Sequence, residues 1–104
     1  MGQKSLATRL YEETKELYKE QTGSFLVLYD FPKDEPASDR FYDNMHRVID
    51  NHGGHWIQRS AFMTESYLSA VTVYRLAQHY GAARIQIFVT TELSHLMDGL
   101  ENAE

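Results

Sequence analysis

Five consecutive apolar residues, Phe25-Leu26-Val27-Leu28-Tyr29, run straight into the carboxylate of Asp30. Such a run fits a strand in the middle of a sheet, covered on both faces. Ahead of it, residues 5–21 read as an amphipathic helix. Leu6, Leu10, Leu17 and Tyr18 lie near one face, and Gly23 is the expected stop. After Asp30, two prolines and three charged residues at positions 31–38 make a loop, and Ser38 is placed to cap a second helix.

In that second helix Phe41, Tyr42, Met45, Val48, Ile49 and His52 recur at helical spacing, and Gly53-Gly54 closes it. Positions 55–64 read as strand, in two short pieces if the break falls near Arg59 and Ser60. A third helix is expected over 67–80, with Ala70, Val71, Tyr74, Ala77 and Tyr80 on one side and Gly81 at its end. Ile85, Ile87 and Val89 then alternate with Arg84, Gln86 and Phe88, the pattern of a half-buried strand. From Thr91 onward a short helix is expected, with Leu93, Leu96, Met97 and Leu100 on its apolar face.

Embedded in this order is β-α-β-β-α-β. The expected fold class is α+β, a ferredoxin-like sandwich with helices on one face of a mainly antiparallel sheet. An extra N-terminal helix and a short C-terminal helix are added to it. The organisation expected is a helical extension over 1–22, a ferredoxin-like domain over 23–91 and an acidic helix or tail over 92–104. A chain of 104 residues suffices for one such core but not for a large internal cavity.

Charge and composition narrow the function. The net charge of −5 argues against a protein that coats nucleic acid by bulk electrostatics. Four acids and no base fall in 92–104, however, so much of the excess is local to the tail. Any nucleic-acid contact must then come from a few well-placed arginines. The absence of cysteine excludes a disulfide framework, a thiolate zinc site and a thiol nucleophile. No apolar run is long enough for a membrane span, and residues 1–22 are too polar for a secretory signal. The expected compartment is the cytoplasm, with no membrane partner.

Asp30 is the residue singled out for chemistry, because a carboxylate that ends a central strand stands where sheet-based sites form. The alternative is that it caps the turn leading into Phe31-Pro32. One carboxylate holds Mg²⁺ poorly, since that ion requires octahedral oxygen ligation. A symmetric dimer that brings two Asp30 side chains together would solve the problem. His52 and His55 flank Gly53-Gly54 at a spacing that could bind a metal, but a third ligand is not evident. The bases Lys33, Arg40, Arg47, Arg59, Arg75 and Arg84 form no run and read first as solvated surface charges. Arg40, at a helix start beside the Asp30 loop, is the best candidate for a phosphate contact, and Arg59 is next. No Ser-His-Asp triad, P-loop or dinucleotide fingerprint is present.

Three segments resemble a known family. Leu28-Tyr29-Asp30-Phe31-Pro32 is similar to the first-strand signature of the Cas-two family of CRISPR-associated proteins. Ile57-Gln58-Arg59-Ser60-Ala61-Phe62 is similar to its Val-Gln-x-Ser-Val-Phe stretch, and Arg84-Ile85-Gln86-Ile87-Phe88 resembles its late Val-Arg-Ile-Tyr strand. The order and separations of the three match as well. The resemblance implies a ferredoxin-like homodimer in which Asp30 faces its symmetry mate. A divalent Mg²⁺ or Mn²⁺ held there would support phosphodiester hydrolysis in RNA or DNA. Other members of the family act as a structural partner of the Cas-one integrase and hold duplex DNA. Toxin ribonucleases of the VapD type share the fold. A reading from a different class is a non-catalytic ferredoxin-like module whose terminal helices dock a protein partner.

Overall fold

Each helix begins at a serine whose hydroxyl accepts the backbone N–H three residues on. These are Ser5, Ser38 and Ser66 in the computed structural model, which describes residues 4–94 and 96. The helices so started are α1 (Leu6–Leu17), α2 (Asp39–His52) and α3 (Tyr67–His79). Four strands accompany them: β1 (Thr22–Asp30), β2 (His55–Gln58), β3 (Ala61–Ser66) and β4 (Arg84–Val89). They form one sheet in the order β2-β3-β1-β4, with every pairing antiparallel. The class is α+β, as expected, and the succession β1-α2-β2-β3-α3-β4 is compatible with a small ferredoxin-like sandwich. None of the described helices is long and apolar enough to cross a membrane.

Two local expectations need correction. α1 stops at Leu17, with Tyr18 already extended at φ −132°, and Leu17 is 71% exposed. Gly23 therefore lies inside β1, where the register against β3 shifts between Thr22 and Phe25, and it ends no helix. Gly53 does end α2, in a positive-φ conformation that glycine adopts without strain. The terminal helix expected from Thr91 falls largely on positions 95 and 97–104, outside the described residues.

The strand expected to be covered on both faces has helices on one. Phe25, Val27 and Tyr29 point to the helical side and are buried with Phe41, Met45 and Val48 of α2, Phe62 of β3 and Val73, Leu76 and Ala77 of α3. The other face of the sheet carries Leu26 and Leu28, half-buried, beside Ala61, Met63, Ile57 and Phe88. Ile57 and Phe88 are 56% and 41% exposed, so an apolar stripe faces outward.

α1 belongs to the same core. Ala7, Leu10 and Thr14 are buried against α2 and α3, so its apolar face is turned inward. Asn44 of α2 locks the junction: its Oδ1 accepts from Ala7 N–H at 2.9 Å, and its Nδ2 donates to the Arg40 carbonyl and the Tyr80 hydroxyl. Arg75, read from sequence as a solvated charge, instead reaches from α3 to α1, donating to Thr14 Oγ1 at 3.2 Å and to Glu13 at 3.0 Å. In the middle of α1, Tyr11 stacks on His52 with ring centroids 3.7 Å apart. Just beyond α1, Glu20 caps α3, accepting from Ser66 Oγ at 2.6 Å and Leu68 N–H at 3.1 Å. Burial raises the Glu20 carboxyl, but hydrogen bonds from Ser66 and nearby backbone N–H groups outweigh it and hold the pKa below the usual range.

Candidate nucleic-acid interface

The topology brings the C-terminal end of β1, the N-terminal ends of α2 and β4 and the β2–β3 turn to one end of the sheet. Asp30 is the last residue of β1 and is exposed. Its backbone is fixed, because its carbonyl accepts from Ala83 N–H at 2.7 Å, while its cross-strand neighbour in β4 is Arg84. Among the described residues its side chain forms no ion pair within 4.0 Å. A recess of about 260 Å³ opens beside it, lined by Leu28, Tyr29, Asp30, Ser60, Arg84 and Gln86.

Arg59 sits at the turn between β2 and β3, and Tyr29 ties that turn to β1. The Tyr29 N–H donates to the Ser60 carbonyl at 3.1 Å, and its hydroxyl donates to the Arg59 carbonyl at 3.0 Å. The same hydroxyl accepts from Trp56 Nε1–H at 2.8 Å. Burial pushes the Tyr29 hydroxyl up to about 12, so it keeps its proton and stays a donor to the turn. Phe31 packs edge-on against both Tyr29 and Phe41, which fixes the start of the loop that leaves Asp30.

The side chain of Arg59 is exposed but not free. Its Nε–H donates to the Tyr42 hydroxyl at 3.2 Å, and its guanidinium carbon lies 5.8 Å from the centre of the Tyr42 ring. This hydrogen bond to the Tyr42 hydroxyl raises the Arg59 pKa further. Arg40, in the first turn of α2, is exposed, and among the described residues its side chain makes no hydrogen bond or ion pair. Asp30 and Arg59 are thus joined through Tyr29, whereas Arg40 shares their end of the molecule without touching either.

Sequence reasoning passed over Tyr42 and Arg84. Tyr42 falls on the apolar stripe of α2 and reads as core, yet it is half-buried with its hydroxyl turned to Arg59. Arg84 could be placed on the open face by the alternation in β4, but its position opposite Asp30 depends on strand register. The end is of mixed charge: Lys33, Arg40, Arg59 and Arg84 stand with Asp34, Glu35 and Asp39.

A larger hollow, about 900 Å³, lies towards the opposite end, with Leu26, Ile57 and Met63 in its lining. Glu20, Glu65 and Glu92 also line it and no lysine or arginine does, so it repels phosphate and is the poorer candidate for nucleic acid. His52 and His55 line it too, but among the described residues no group of three or more acids and histidines could hold a metal ion. Compared with known proteins, the chain matches no family model, no curated protein and no solved structure.

Proposed function

We propose that this chain is a Cas-two-like nucleic-acid protein that works as a homodimer, with Asp30, Arg40 and Arg59 at its contact with RNA or duplex DNA. The observation that carries the reading is the exposed Asp30 at the end of the central strand, tied through Tyr29 to the turn that holds Arg59. The outward apolar stripe of the sheet supports a dimer, since a second copy would bury Leu26, Leu28, Met63 and Phe88. The reading assigns the chain to the cytoplasm.

Asp30 offers the hard oxygen that Mg²⁺ or Mn²⁺ prefers, but a single carboxylate is half of such a site. Asp30 of the partner subunit would supply the rest. A bound divalent ion supplies a water nucleophile at neutral pH and neutralises charge on the phosphoryl group. The arginines then hold the phosphodiester in place. A second reading is a non-catalytic DNA-holding dimer that serves a Cas-one-like integrase. Arg84 favours it, because a guanidinium across the strand from Asp30 opposes cation binding there.

The test is binding and cleavage of RNA and of duplex DNA by the full chain, with Mg²⁺, Mn²⁺ or a chelator. Salt-sensitive binding that weakens in Arg40→Ala and Arg59→Ala supports the proposal. No binding to either nucleic acid at about 50 mM salt, where phosphate contacts are strongest, would sink it. Cleavage that needs metal and is lost in Asp30→Ala selects the nuclease. Binding without cleavage selects the DNA-holding dimer, and cleavage that persists in Asp30→Ala removes Asp30 from the catalytic role.

A further inference from the structure

The Arg59 side chain is held more firmly than an exposed arginine requires. A free guanidinium on a surface turn samples many rotamers, and ordering it against a phosphate costs side-chain entropy. Here the backbone of the turn is anchored from below by the Tyr29 hydroxyl, itself fixed by Trp56. The side chain is anchored at Nε by the Tyr42 hydroxyl and lies near the face of that ring. Among the described residues Nη1 and Nη2 have no partner. What remains free is the outer edge of the guanidinium, the fork that donates to two oxygens of one phosphate.

We propose that Tyr42 is a positioning residue that holds Arg59 with its Nη1 and Nη2 presented as a clamp for one backbone phosphate of a bound nucleic acid. The inference rests on the nucleic-acid reading above and adds the geometry of one contact. Arg59 touches the ligand, and Tyr42 acts only through Arg59. Losing the Tyr42 hydroxyl leaves the ring and its packing against Trp56 and Phe41, so the fold is kept while the clamp loosens.

The experiment measures affinity of the full chain for a short DNA duplex between about 50 and 200 mM salt, in wild type, Tyr42→Phe, Arg59→Ala and the double variant. Arg59→Ala is expected to lower the slope of log affinity against log salt by about one. Tyr42→Phe is expected to weaken binding about threefold, the effect of one modest hydrogen bond, with an unchanged melting temperature. In the Arg59→Ala background Tyr42→Phe should have no further effect. A wild type that binds DNA while Tyr42→Phe matches it, or a Tyr42→Phe effect that survives in full without Arg59, overturns the positioning role alone. Failure of the wild type to bind any nucleic acid overturns the functional reading, and this inference with it.

Discussion

The Tyr29 hydroxyl donates to the carbonyl oxygen of Arg59 at 3.0 Å, joining residues 30 positions apart, and itself accepts the Trp56 indole N–H at 2.8 Å. One side chain thus serves two partners in a part-buried position between β1 and the turn. Tyr29→Phe leaves a donor and an acceptor unpaired and should cost about 1–3 kcal/mol. Urea denaturation would measure it, and a loss of nucleic-acid affinity beyond that of Tyr42→Phe should accompany it.

Asn44 ties the start of α1 to α2 and to Tyr80. Its amide serves Ala7, Arg40 and Tyr80 at once, so Asn44→Ala should destabilise the chain by about 1–3 kcal/mol. The local signature is hydrogen exchange at the Ala7 amide, which should quicken more than exchange in β1. Equal quickening at both would mean that α1 and the sheet open together.

Acid should loosen the same helix at its middle, where Tyr11 stacks on His52. Burial lowers the pKa of His52 below its ordinary 6.5, helped by Lys15 and opposed by Glu20. The unfolded chain therefore takes up this proton more readily than the folded one. The contribution is fully present above pH 6.5 and declines as the pH falls through the depressed folded value. His52→Phe keeps a ring against Tyr11 without the titration. Between about pH 7.5 and about pH 5.5, its melting temperature should fall less than that of the wild type.

The two glycines that close α2 should respond unequally to alanine. Both have positive φ, +82° at Gly53 and +97° at Gly54. A Cβ on Gly53 meets nothing within 4 Å, whereas one on Gly54 would run into the Phe62 ring and stand 3.0 Å from the Met63 carbonyl oxygen. Gly53→Ala should cost about 1–2 kcal/mol from backbone strain, and Gly54→Ala more than about 3 kcal/mol. Equal denaturation midpoints would contradict the clash.

Local chemistry was readable where one residue type decides the outcome. Ser38 caps α2, Gly53 ends it, and the chain turns at Arg59 and Ser60, as their patterns predict. Gly23 misled because a glycine near a helix end also suits a strand with an irregular register. The apolar run of β1 implied burial on both faces, yet residue hydrophobicity does not say which face a helix covers. At the site, Asp30 and Arg59 stood out singly. Their junction through Tyr29, the place of Arg84 and the tilt of the Tyr42 hydroxyl depend on strand order and register, which a single chain's pattern leaves open.

The anchoring of α1 also has a consequence for the order of folding. Its bonds reach 37 positions ahead to Asn44 and 61 ahead from Thr14 to Arg75. Contacts that close loops this long form late, after the intervening chain has given up its freedom. On a ribosome, Leu10 and Ala7 would emerge well before α2 and α3, the helices that cover them. α1 is therefore made before the elements that hold it, and a chain halted before Arg75 would carry it without the α3 contacts that fix its place.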